Sequence, residues 1–110
     1  MSYPKRVTID AARTLAFGGV GVAYAAVGTP LEAFARIIAF KNLLGVTIWI
    51  SFDGVEDHML LPAANSEIID FSTNQSTIEN YFVAQGTQFY VRHIAGGAPQ
   101  DGLISIEVMR

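Results

Sequence analysis

Asp53, Glu56, Asp57 and His58 are the densest group of side chains able to do chemistry in this sequence, and oxygen-rich turns of this kind can hold calcium. An EF-hand loop supplies ligands at alternate positions and ends on a bidentate Glu, and the run from Asp53 to His58 has neither feature. It reads as a solvated hairpin tip. His58 and His93 could share a zinc ion, but two histidines on separate predicted strands with no fixed spacing define no ligand set. Ser51, Ser66 and Ser105 lack the context of an activated nucleophile, and no carboxylate pair is spaced for glycoside hydrolysis. Gly18, Gly19 and Gly21 would suggest a phosphate cradle only between a strand and a helix, whereas Val22 to Val27 continues as small and β-branched residues. The sequence therefore predicts no catalytic residue, no metal site and no cofactor, and the expectation is a protein that is not an enzyme.

The acidic tip is positioned by the stretch from Gly45 to Pro62, which is predicted to form a strand, a tight turn and a second strand. Val46, Ile48, Ile50 and Phe52 alternate with Thr47, Trp49 and Ser51, so one face of the first strand is aliphatic and the other mixed. Asp53-Gly54 is a favoured source of positive φ at a hairpin, and Met59 to Leu61 resume the apolar run. Trp49 faces away from Val46, Ile48 and Ile50, which makes it the predicted interface anchor. Trp49, Phe52, Phe71, Tyr81, Phe82, Phe89 and Tyr90 would form a stacking platform for a sugar only if they shared a face; in a β chain aromatics mainly fill the core and subunit contacts.

Composition limits the possible partners. The chain has 110 residues, 51% of them hydrophobic and only 15% charged, where an ordinary soluble domain has roughly 25% charged. A single small domain cannot bury that much apolar surface, so part of it must lie outside, where it favours self-association. The net charge of −3 argues against general nucleic-acid binding, and the absence of cysteine excludes disulfides and thiolate chemistry. Lys5, Arg6 and Arg13 form the only basic cluster. Thr14 to Leu31 is uncharged, but its glycines and Pro30 make it a poor membrane helix, and Met1 to Asp10 lacks the apolar core of a signal peptide.

The expected organisation is an N-terminal arm, residues 1–10, followed by one domain, residues 11–110. Short extended pieces are predicted at Val7 to Asp10, Arg13 to Phe17 and Val20 to Val27. Thr29-Pro30-Leu31-Glu32 fits a helix start, and the expectation is at most one helical turn there before a strand over Arg36 to Asn42. Further strands are predicted at Ser66 to Phe71, Tyr81 to Ala84, Thr87 to Ile94 and Leu103 to Met109, with loops at Ser72 to Asn80 and Gly96 to Gly102. About eight short strands at this spacing predict an all-β antiparallel sandwich or jelly roll.

Two stretches carry a family resemblance. RIIAFKNLLGVTIWISFDGVEDHMLLPAANSEIIDFSTN and AQGTQFYVRHIAGGAPQDGLISIEVMR, with the words Ile50-Ser51-Phe52-Asp53-Gly54, Leu61-Pro62-Ala63 and Gly86 to Arg92, resemble small virion structural proteins of tailed bacteriophages. The resemblance covers about two-thirds of the chain and leaves out residues 1–30. It implies a β-sandwich that assembles on the particle, as a decoration or cement protein of the capsid or as a neck, collar or tail component, with no catalytic residues. The expected partners are the chain itself, as a homo-oligomer such as a trimer, and the major capsid protein or another virion protein, with no membrane and no specific nucleic acid. The expected location is the virion, assembled in the host cytoplasm, with Tyr3, Lys5 and Arg6 of the arm and Trp49 as interface residues. The runner-up is a carbohydrate- or receptor-binding module.

Overall fold

Alternation of apolar and polar residues yields eight strands in the computed structural model, which describes residues 9–33, 35–70, 85–94 and 98–109. They are β1 (Arg13–Ala16), β2 (Ala25–Ala26), β3 (Ile37–Asn42), β4 (Ile48–Ser51), β5 (Met59–Leu61), β6 (Ser66–Asp70), β7 (Tyr90–His93) and β8 (Leu103–Met109). One sheet has the order β1-β8-β3-β6 and the other β2-β7-β4-β5. Every pairing is antiparallel. First pairs with last, second with seventh, third with sixth and fourth with fifth, so the chain is one long hairpin folded over on itself. That is the winding of an eight-stranded jelly roll.

The core lies between the sheets. Ile38, Phe40, Ile104, Ile106 and Val108 point inward from one sheet, and Ile48, Ile50, Leu61 and Val91 from the other. Phe89, just before β7, packs edge-on against Phe40 at 5.7 Å and Phe52 at 5.3 Å between ring centroids. The predicted alternation of β3 and β4 is seen in the burial of Ile38, Phe40, Ile48 and Ile50. Asn42 ends β3 fully buried, with its Nδ2 donating to the carbonyls of Val46, Leu61 and Pro62 and its Oδ1 accepting from Leu44 N–H. A buried amide must find such partners or lose the hydrogen bonds it made to water.

Several expectations are revised. Residues 29–33 form no helical turn. Leu31 N–H donates to the Thr87 carbonyl, and Leu31 accepts from Gly86 N–H, so this segment bonds across to another loop instead of to itself. The stretch Val20 to Val27 contracts to the short β2, because His93 N–H bonds to the Gly21 carbonyl outside the ladder. Ile9 bridges Met109 and Asp10 N–H donates to the Val108 carbonyl, so residues 9 and 10 of the expected arm are bonded to β8. Arg13 is a core-side strand residue, not part of a solvated basic cluster. The predicted strand at Tyr81 to Ala84, the loop at Ser72 to Asn80 and arm residues 1–8 lie outside the described residues.

Among the described residues, the winding places the connecting residues 17–24, 43–47, 62–65, 94 and 98–102 at one end of the sandwich. Residues 27–33, 35–36, 52–58 and 85–89 lie at the other end.

Candidate functional site

The acidic tip folds as a clasp. Phe52 N–H donates to His58 Nδ1 at 3.0 Å instead of continuing the ladder, so β4 stops at Ser51 and the connection runs over residues 52–58. Asp53 Oδ1 accepts from Ser51 Oγ at 2.9 Å, Val55 N–H at 2.8 Å and Glu56 N–H at 3.0 Å. Backbone donation by Glu56 and then Val55, with the Ser51 hydroxyl, holds the Asp53 carboxyl down at about 2 from an ordinary 3.8. Gly54 takes φ +77°, and a Cβ there would stand 3.2 Å from the Tyr90 ring. The anticipated positive φ at Asp53-Gly54 is present, in a longer loop than a tight turn.

Asp53, Glu56 and His58 bring ligand atoms within 4.8 Å of one another, all exposed. Because His58 Nδ1 accepts the Phe52 N–H, the neutral ring must carry its proton on Nε2, which stands 4.0 Å from Asp53 Oδ2. A metal at Nε2 would have to displace that proton, and Asp53 Oδ1 already has three donors. The set closes a turn more readily than it coordinates an ion. His93 is buried on the inner face opposite Ile48, with its Nδ1 donating to the Ile94 carbonyl at 2.7 Å, and it does not join His58.

The predicted aromatic platform is divided between faces. Phe52 and Phe89 pack in the interior, while Phe71, Tyr81 and Phe82 lie outside the described residues. Trp49 sits half-buried on the outer face of its sheet, opposite Leu60 on one side and Arg92 on the other. The Arg92 guanidinium lies 5.5 Å from the centre of the Tyr24 ring and grips Asp57, Nε to Oδ1 at 2.9 Å and Nη2 to Oδ2 at 2.5 Å. This fork lowers the Asp57 pKa and raises that of Arg92, the hydrogen bonds outweighing desolvation in both. Tyr24, Arg92, Trp49 and Leu60 thus form a transverse row. Sequence spacing singled out Trp49 and counted Asp57 in the acidic tip, but it missed Tyr24, Arg92 and the pairing of Arg92 with Asp57, because cross-strand register decides their company. The other predicted interface residues, Tyr3, Lys5 and Arg6, lie outside the described residues.

The most distinctive surface among the described residues is the end formed by residues 17–24, 43–47, 62–65, 94 and 98–102. Asp101 is the only charged residue in these four segments. Phe17, Val22, Leu43 and Ile94 are 42%, 58%, 57% and 48% exposed there. Backbone bonds fix the segments to one another and to the strands: Phe17 N–H to the Gly102 carbonyl, Leu43 N–H to Leu103, Ala64 N–H to Leu44 and His93 N–H to Gly21. Gly102 permits the approach of two of them, since at φ +87° its missing Cβ would fall 2.1 Å from the Leu43 carbonyl oxygen. This end is therefore a braced apolar surface. Among the described residues no helix is long and apolar enough to cross a membrane.

Compared with family models, with curated proteins and with solved structures, the chain matches none.

Proposed function

We propose that this chain is a non-enzymatic structural protein of bacteriophage particles, a capsid decoration or cement protein that seats its charge-poor loop end on another virion protein. The observation that carries this reading is the exposure of Phe17, Val22, Leu43 and Ile94 at one end of the sandwich, on hydrogen-bonded connections in which Asp101 is the only charge. Apolar side chains held in a fixed arrangement gain free energy when a partner covers them and lose little conformational entropy in doing so. A jelly roll suits the task because its winding collects four connections at one end. The resemblance of Arg36 to Asn74 and Ala84 to Arg110 to small virion proteins supports the same reading. A place at the neck, collar or tail would use the same surface and differ in copy number.

The test is reconstitution onto particles lacking the protein. Val22→Asp with Leu43→Asp should reduce bound copies at least tenfold while the thermal midpoint of the free protein stays within a few degrees of wild type. Unchanged binding by this folded variant would overturn the assignment of the surface.

A second reading, carbohydrate or receptor binding, is favoured by the row Tyr24, Arg92, Trp49 and Leu60 with Asp57 beside it, since an indole face and a charged pair suit a sugar ring. Quenching of Trp49 fluorescence by a glycan that the protein captures on an array would bring this reading forward. Absence of both signals would remove it.

A further inference from the structure

Residues 52–58 are held by a hydrogen bond that exists in only one charge state of its acceptor. Phe52 N–H donates to His58 Nδ1 at 3.0 Å, and a ring nitrogen accepts only while it carries no proton. The His58 backbone is fixed separately, its own N–H donating to the Ile50 carbonyl at 3.0 Å, so the ring turns about a held main chain. A proton added at Nδ1 sets two donors face to face.

The same ring has a second place to go. Its Nε2 stands 4.0 Å from Asp53 Oδ2, too far for a hydrogen bond and near enough to attract a cation. A carboxylate oxygen of Glu56 lies within 4.8 Å of the ligand atoms of Asp53 and His58, and Asp57 is close enough to feel the charge of the ring. From β7, Arg92 meets this loop through Asp57, Nε to Oδ1 at 2.9 Å. Among the described residues, then, a neutral ring is favoured against the Phe52 N–H and a charged ring nearer Asp53 and Glu56.

The position of the ring matters to the core. His58 packs edge-on against Phe52 at 5.7 Å between ring centroids, and Phe52 in turn meets Phe40 at 6.0 Å and Phe89 at 5.3 Å. One imidazole therefore covers the end of the aromatic cluster and closes the loop.

We infer that residues 52–58 are a pH-operated latch, in which protonation of His58 releases the Phe52 N–H, draws the ring toward Asp53 and Glu56 and loosens the cover on Phe52. The latch is closed where the ring is uncharged and opens as pH falls through the range, between about 5 and 8, in which histidine changes charge. Asp53 stays ionised throughout that range, because Glu56 and Val55 N–H and then the Ser51 hydroxyl hold its carboxyl at about 2. The loop thus has two separate acid responses: Phe52 N–H follows the histidine, and the amides of Val55 and Glu56 follow Asp53. The latch belongs to the isolated chain and does not depend on a particle.

The test is NMR on the full chain from pH 8 to pH 5, with the ring protons of His58 assigned apart from those of His93. The Phe52 amide resonance should shift with the same midpoint as the His58 ring. Its protection from hydrogen exchange, corrected for the intrinsic pH dependence, should fall about tenfold across that midpoint. His58→Asn places an amide oxygen near the position of Nδ1 with no proton to gain, so this variant should keep the Phe52 amide protected at every pH. A Phe52 amide that ignores the titration of the ring in the wild-type chain would overturn the inference, and so would an equal response in His58→Asn. The first result needs no variant, so the test stands on the native chain alone.

Discussion

Asn42 Nδ2 donates to the Leu61 carbonyl at 3.1 Å, and this one bond joins the last residue of β3 in one sheet to the last residue of β5 in the other. The same amide also reaches Val46 and Pro62, and its oxygen takes Leu44 N–H. One buried side chain thus organises two of the four connections at the charge-poor end.

Asn42→Ala should lower unfolding stability by about 3 kcal/mol, since it strands a buried N–H and several carbonyls at once. Asn42→Asp should be at least as harmful, because it turns a donor into a charged acceptor facing carbonyls. Urea denaturation checks both, and a loss below about 1 kcal/mol would mean that water replaces the amide.

Backbone conformation predicts opposite signs at two nearby positions. Gly102→Ala should destabilise by about 2 kcal/mol or more, from positive φ and collision with the Leu43 carbonyl. Ala64 has φ +56°, so Ala64→Gly should relieve strain and stabilise by up to about 1 kcal/mol. Paired thermal melts read both effects, and the same sign at both positions would contradict the argument.

Acid should loosen the clasp at an unusually low pH. Asp53 has its folded pKa depressed to about 2 from 3.8, so its stabilisation of the turn is complete above the ordinary value and is lost as pH falls through about 2. Amide resonances of Glu56 and Val55, followed by NMR, should titrate near 2, and Asp53→Asn should abolish the transition. A midpoint near 3.8 would mean that the carboxylate does not hold the backbone donors.

Much of the fold was legible in the sequence. The alternation from Val46 to Phe52 is local, so it predicted the burial of Ile48 and Ile50 and the outward side chain of Trp49. The pairing of β1 with β8 leaves no local trace, and neither does the row Tyr24, Arg92 and Trp49 that register creates. Arg13 read as part of a basic arm because burial of its guanidinium depends on carbonyls sixteen and seventeen residues away. Asn42 looked like an ordinary polar strand end. The tight turn expected at Asp53-Gly54 lengthened because His58 captured the Phe52 N–H, a competition between ring and backbone that dipeptide preference does not record.

Trp49→Ala should weaken assembly more than it weakens the monomer. The residue is half-buried on the outer face between Leu60 and Arg92, so truncation is expected to reduce the oligomeric fraction about tenfold in sedimentation velocity while costing the monomer less than about 2 kcal/mol. A variant that unfolds would assign Trp49 to folding instead of assembly.

The proposed role is tested most directly by the copy number of this chain in purified phage particles, counted by quantitative mass spectrometry against the major capsid protein. Hundreds of copies per particle is the predicted result for a decoration or cement protein, and a few dozen or fewer would move it to the neck or tail. Finding none would contradict the account.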